Sequence, residues 1–313
     1  MFLVSESADR DVTALLPELP VVTAQPPPLT REMSTAAAFH DVVMACRWHI
    51  EGNTAAVLQV RHAEGLHQLR IGLRRLSITL ANFLPEAEEL RTQAKGLFEV
   101  TGAARDLDVF LTELFEPVAG EFDPQEGIAI LRARAEQARV RAWDAAVTRV
   151  SSQEFAGFLD EVTAVAERGL DWPVPLMQHA PAVLDGHLSR VRKRGKGLKA
   201  MPHDGAHRLR IALKKLRYSA DFFATLYKER PVQRYLGEIK KLQDLLGALN
   251  DAAQVRATLG RLMMEEAANA SVQADLSFAA GLINGWHHAR ASGLKRKAHK
   301  VWRAFKQSEP FWA

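Results

Sequence analysis

Histidine, arginine and lysine recur at helical spacing in two segments of the chain, EGLHQLRIGLRRLSI at 64–78 and DGAHRLRIALKKLRY at 204–218. In the first, His67, Arg70 and Arg74 stand three and four residues apart; in the second, His207, Arg210, Lys214 and Arg217 repeat that spacing. At about 100° per residue each set forms one stripe along a helix. Leu66, Leu69, Leu73, Leu76 and Leu80 border the first stripe on one side, and Ile71 and Ile78 border it on the other. Leu209, Leu213 and Leu216, with Ile211 and Tyr218 opposite, flank the second. On an ordinary amphipathic helix the charges lie away from the apolar face, whereas here they split it. Cations so placed should line a partly desolvated concavity, where they repel one another unless anions enter. A guanidinium can donate two parallel hydrogen bonds to phosphate and an ammonium adds a mobile point charge, so the pattern suits a multivalent anion with charges spaced along a chain. By phase, Arg75 and Lys215 point the opposite way and read as solvated.

Internal carboxylates are the competing partners. Asp106 and Asp251 each close a Gly-x-x-x-Asp, but two acids cannot balance both stripes together with the cations between 190 and 199. The net charge is only +4, with a sequence pI near 9.2, so what matters is where the charges sit. Eleven Lys and Arg fall between Asp185 and Arg217, against Asp185 and Asp204 alone, and the stretch 290–306 adds seven with no acid. Such runs are commonly solvated helix faces, and helical phase is what separates the stripes from them.

These side chains are positioned by helices. Apolar residues at spacings of three and four predict helices over about 31–60, 64–84, 86–117, 124–149, 152–169, 181–200, 204–228, 231–248, 251–270 and 272–307, an all-α fold. Breaks are signalled at Pro85, Pro117, 122–125, 171–175, Pro202 and Pro231. The proline triplet of TAQPPPLT predicts a disordered arm or linker over 1–30, and residues 309–313 form a C-terminal tail. No apolar run is long enough for a membrane span and the N-terminus lacks the pattern of a secretory signal, so a cytoplasmic protein is expected. The single cysteine, Cys46, excludes an intrachain disulfide and a thiolate zinc cluster, and reads as a buried thiol.

The repetition extends beyond the stripes. KGLFEVTGAARDLDVFLTEL at 95–114 aligns with KKLQDLLGALNDAAQVRATL at 240–259, pairing Lys95 with Lys240, Gly102 with Gly247 and Asp106 with Asp251. Two matched blocks in the same order predict two homologous halves, about 31–170 and 180–308, packed as pseudosymmetric helical bundles around a basic central pore or cavity.

The doubled His-Arg motif, the downstream LQDLLGALND and the basic HLSRVRKRGKGL resemble the CHAD family, the conserved histidine α-helical domain, over about residues 31–308. The resemblance implies two four-helix bundles about a basic pore that binds inorganic polyphosphate, in some members at polyphosphate granules. The family's basic positions fall on His67, Arg70, Arg74, Arg75, Lys95, Arg105, His207, Arg210, Lys214, Lys215, Arg217 and Lys240, with Arg190 and Arg194 added from the basic helix. The chain departs from the pattern at Ser77, where an arginine is common, and at Arg105, which stands where the other half has Asn250. Some members follow a triphosphatase domain, which the short N-terminal arm cannot encode.

Other constellations are weaker. His203 and His207 have metal-chelating spacing but no third ligand, Cys46 with His49 is too sparse for zinc, and RGKGLK at 194–199 lacks the full phosphate-loop pattern, so no metal or cofactor is expected. His287 and His288 read as surface histidines. Trp286, Trp302, Phe305 and Trp312 read as packing anchors, and Met263 and Met264 as core. No acidic cluster or nucleophile elbow accompanies the cations, so binding without turnover is favoured over a polyphosphate-hydrolysing enzyme. Single-stranded nucleic acid is the rival ligand, with KRKAHKVWRAFK at 295–306 able to lie along a backbone. A scaffold whose arginines pair only with internal acids is the third reading. For a polyanion, binding is expected to strengthen as His67 and His207 protonate below about 6.5.

Overall fold

The computed structural model describes residues 20–122, 126–172, 174–264 and 269–313. Its helices are α1 (Thr35–Glu51), α2 (Thr54–Val60), α3 (Ala63–Phe83), α4 (Glu88–Val109), α5 (Glu116–Ala119), α6 (Glu126–Val150), α7 (Gln153–Arg168), α8 (Leu176–Arg194), α9 (His203–Phe222), α10 (Glu229–Leu262), α11 (Ala270–Ala291) and α12 (Leu294–Gln307). The all-α class holds: among the described residues there is no strand, only one isolated bridge between Ser34 and Pro175. Helix starts follow their caps; the hydroxyls of Ser34 and Ser152 accept from Ala37 N and Phe155 N.

Several boundaries differ from the expected ones for physical reasons. The stretch 31–60 is two helices, parted where Gly52 and buried Asn53 turn the chain. Pro117 makes no break, because it occupies the first turn of α5, where a missing N–H costs nothing, and a π-helical turn over Phe110–Phe115 links it to α4. α8 begins at Leu176 and carries Pro181 inside it. The expected gap at 249–250 is absent: α10 runs unbroken for 34 residues. The terminal stretch is cut at Gly293, whose φ of +81° suits glycine. Positions 123–125, where one break was expected, lie outside the described residues.

Apolar packing forms two clusters. The larger joins Leu29, α1, α3, α4, α6 to α10 and α12 through Trp312; the smaller gathers the π-helical turn, α5 and α6 with α10 and α11. Neither core stops at the junction of the two expected halves, since α6 packs on α11. Met264 is 83% exposed rather than core, whereas Trp302, Phe305 and Trp312 are buried as expected. His287 is likewise no surface residue: it is buried and donates from Nε2 to Leu114 O at 2.7 Å, while His288 is exposed. No helix among the described residues is long and apolar enough to cross a membrane.

Residues 1–19 of the expected arm lie outside the described residues, and residues 20–30 form a non-helical strap packed on the helices. Val22 exchanges two hydrogen bonds with the Asn53 side chain, Nδ2 to O at 2.9 Å and N to Oδ1 at 3.1 Å. Leu29 is buried and its carbonyl accepts from Thr225 Oγ1. Asn53, fully buried, also donates to His49 O, so Asn53→Ala strands several groups at once. A loss of about 2–4 kcal/mol is expected in denaturant titrations, and a loss under about 0.5 kcal/mol would show that the strap is not anchored there.

Candidate anion-binding site

α3 and α9 lie side by side, tied to α8 through one amide: Asn82 Nδ2 donates to Ser219 Oγ at 2.9 Å and Asn82 Oδ1 accepts from His187 Nε2 at 2.8 Å. Their striped faces meet α10 and the strap around one cavity of about 870 Å³. α3 contributes His67, Arg74 and Arg75, and α9 contributes Arg210, Lys214 and Arg217. α10 contributes Gln243, Gly247 and Asp251, spaced by four so that they share a face. Thr23, Ala24 and Pro26 of the strap complete the wall.

Each arginine stripe crosses a neighbouring helix at a glycine. A Cβ on Gly102 of α4 would come within 3.2 Å of an Arg70 guanidinium nitrogen, and one on Gly247 would come within 3.8 Å of Arg210 Nε. Arg70 is held behind the wall rather than in it. Its guanidinium donates to Phe98 O and to Thr101 Oγ1 and lies 3.9 Å over the Phe98 ring, which Arg74 shares at 4.5 Å. Burial pulls Arg70 down to about 10, with Asp106 opposing.

The cavity is short of negative charge. Lys214 is drawn down to about 7 by burial first, then by Arg74, Arg210 and Arg70. Burial also lowers Arg210, against the attraction of Asp251, and raises the carboxyls of Asp251 and Asp221 against their arginines. Arg210 Nε and Gln243 Nε2 are buried donors without a hydrogen-bond partner among the described residues. Burying such donors without a partner is costly, and both residues line the cavity. Asp106 and Asp251, the acids picked out in the sequence, do face Arg70 and Arg210, yet they leave these donors unmet.

The two striped helices differ around their histidines. His207 Nδ1 pairs with Asn250 Oδ1 at 2.9 Å at the exposed margin, whereas His67 lines the cavity. Arg105, which the sequence alignment pairs with Asn250, adds repulsion to the burial that depresses His67. It also makes a 3.6 Å contact with Glu113. His67 therefore takes up a proton only in more acidic solution than its type suggests, contrary to the expectation from sequence.

Arg75 is the second correction. It is 6% exposed, lines the cavity and stacks 4.5 Å from the Phe222 ring, with Asp221 nearby. Phe222 and Asp221 of α9 lie against Arg75, so a helical wheel of α3 alone misplaces it. Arg75→Ala is expected to lower unfolding free energy by about 1–3 kcal/mol, read from denaturant melts, because it removes a buried cation–π contact and a charge facing Asp221. A change within about 0.5 kcal/mol would return Arg75 to the solvated class.

The remaining sequence candidates are not in the cavity. Lys95 is exposed and contacts Glu99 at 3.5 Å; Lys240 is exposed and contacts the lining residue Asp244 at 3.2 Å. Lys215 is lowered by burial and then by Arg194 and Arg190 of α8 and Arg91 of α4, and Arg194 donates to Arg208 O. Sequence reasoning missed Gln243, Asp221 and the strap; the four-residue spacing of Gln243, Gly247 and Asp251 was the available signal for the first. Cys46 is buried as expected, and among the described residues no group of three His, Cys, Asp or Glu is arranged to hold a metal ion.

Comparison with known proteins bears on the fold and the family. The fold is similar to the crystal structure of the CHAD domain from the plant Ricinus communis, with a TM-score of 0.78, 24% identity and coverage of 93% of this chain and 98% of that one. It is also similar to PptA from Streptomyces chartreusis, with a TM-score of 0.67, 14% identity and coverage of 87% and 100%. No curated protein matches the chain. The CHAD domain profile matches residues 41–260, a span that contains both striped helices and most of α10. The chain belongs to the CHAD domain family.

Proposed function

We propose that the cavity binds inorganic polyphosphate. The observation that carries this reading is that six cationic or protonatable side chains from two helices converge on one hollow in which Arg210 Nε and Gln243 Nε2 lack acceptors. A polyphosphate supplies oxygens at each phosphate, so one ligand can meet several of these groups while its neighbours continue out of the cavity. His67, Arg74, Arg75, Arg210, Lys214 and Arg217 are the direct contacts in this reading. Arg70 and Arg105 add field from behind, and His207 and Lys240 stand near the exits. Lys95, Lys215, Arg190 and Arg194 meet only the parts of a long chain that run outside. The repeated arginine-on-glycine contact at Gly102 and Gly247 supports the duplication read from sequence.

Binding without turnover is favoured because the cavity acids face cations, Asp221 toward Arg217, Asp244 toward Lys240 and Asp251 toward Arg210, and are not gathered to activate a water. Titration with polyphosphates of graded length at two salt concentrations tests the proposal. Affinity should rise with length until the cavity is filled, fall steeply with salt, and no phosphate should be released with divalent metal present. Sustained release would make the protein a hydrolase, and affinity independent of length would rule out a chain threaded through the cavity. Polyphosphate should also displace single-stranded DNA from the cavity far more readily than the reverse; equal competition would favour the nucleic-acid reading.

A further inference from the structure

α12 has two unlike faces. Ala298, Trp302 and Phe305 are buried: Trp302 lies so close to Gly195 that a Cβ there would come within 2.1 Å, and Phe305 packs on Tyr235 at 5.6 Å. The apolar side is thus used up within the protein and is not available to a membrane. The outer side carries Lys295, Arg296, Lys297, Lys300, Arg303 and Lys306, all exposed, with no acid in the helix. Because Trp302 docks on Gly195, at the end of α8, the exposed Arg192, Lys193, Lys196 and Lys199 adjoin them. Exposed Lys95 and Lys240 each sit beside an acid four residues on, Glu99 and Asp244. None of these ten does so, and the whole of α12 lies beyond the residues matched by the family profile.

We propose that this face is a second polyanion site, separate from the cavity, that takes the phosphate backbone of duplex nucleic acid without reading its sequence. A 14-residue helix is about 21 Å long, and this one is open and convex, so it meets a ligand from one side and cannot enclose a thin flexible chain. A duplex presents roughly one charge per 1.7 Å of its axis on a surface broad enough to reach both rows of cations. Trp302 and Phe305 face inward, so α12 offers no exposed ring for a splayed single strand to stack on. The residues present suit phosphate contacts, which position a duplex without specifying bases.

The test compares the full chain with two variants. One is Arg296→Gln, Lys300→Gln, Arg303→Gln, at exposed positions; the other is Arg74→Gln, Lys214→Gln in the cavity. Anisotropy with a 30-base-pair duplex at two salt concentrations should show the α12 variant weakened about tenfold or more, with its salt slope reduced by about 3. Its affinity for a short polyphosphate should be unchanged, and the cavity variant should show the reverse pattern. Equal duplex binding by the α12 variant and the parent would overturn the proposal, as would no duplex binding at the lower salt. Tighter binding of single strands or anionic vesicles than of duplex would assign the face to those partners instead. Parallel loss of polyphosphate by the α12 variant would make the face part of the polyphosphate path.

Discussion

Replacing Arg74 and Arg210 together with glutamine should weaken polyphosphate binding by two orders of magnitude or more while leaving the ligand-free protein at least as stable. Each charge-assisted hydrogen bond to phosphate contributes about 1.5–3 kcal/mol, so losing one at each site costs at least about 3 kcal/mol, a factor of roughly a hundred. Stability should move the other way, because these guanidiniums press on Lys214, and Arg74 presses on Arg210 as well. Glutamine removes the repulsion and keeps a hydrogen-bonding amide beside Asp251. A site that holds like charges together for a ligand trades stability for function, and the double variant exposes the trade. Calorimetric titration and denaturant melts on the same samples read both effects. A loss below about tenfold, or a marked destabilisation, would mean that the two arginines serve the fold. Arg75→Ala should differ in kind, since Arg75 stacks on Phe222 as well as lining the cavity.

Polyphosphate affinity should decline as pH rises above about 7, by up to tenfold per unit, and Lys214 is the cause. It is faced by His67, Arg70 and Arg74 from α3, by Arg210 on its own helix and by Asp251 from α10. Burial and the three arginines bring its value to about 7 in the ligand-free protein. A polyanion entering beside it favours the charged ammonium, so binding above that pH takes up a proton and weakens as protons become scarce. The same group acts oppositely on folding. Between about 7 and the ordinary lysine value near 10.4, the unfolded chain holds a proton on Lys214 that the folded protein does not. This contribution therefore makes the ligand-free protein more stable as pH rises through that window, at up to about 1.4 kcal/mol per unit. Lys214→Met should flatten both trends. Calorimetry in buffers of different ionisation enthalpy measures the proton uptake directly; zero uptake at pH 8, or an unchanged slope in the variant, would remove Lys214 from this role. His67, depressed by burial and Arg105, contributes only in more acidic solution.

Particular residues show where sequence reading stopped. The leucines of α3 and α9 and the cations between them were legible because a helix has one period, and side chains three and four apart must share a face. His67, Arg74, Arg210, Lys214 and Arg217 accordingly meet in the cavity. The gap expected at 249–250 falls inside unbroken α10, where Asn250 bonds His207 and Asp251 lines the cavity. Arg75 and Lys215, alike in phase, end in opposite environments, the first against Phe222 and the second beside Arg194 and Arg190. Nothing local to either helix distinguishes them. The prolines of residues 26–28 signalled chain outside the helices, but not that buried Leu29 and Asn53 would hold the strap against the cavity.

The sequence by itself determined the all-α class, the two cation stripes and their placement against apolar neighbours, since each follows from helical period and side-chain chemistry within about twenty residues. Only the tertiary structure decided which charges share a hollow and which stay outside, that Gln243 and the strap complete the wall, and that Lys214 loses its charge near neutral pH. Those outcomes depend on desolvation and on Coulomb forces between residues more than a hundred positions apart, such as Arg74 and Lys214, and both are set by distance in space rather than along the chain.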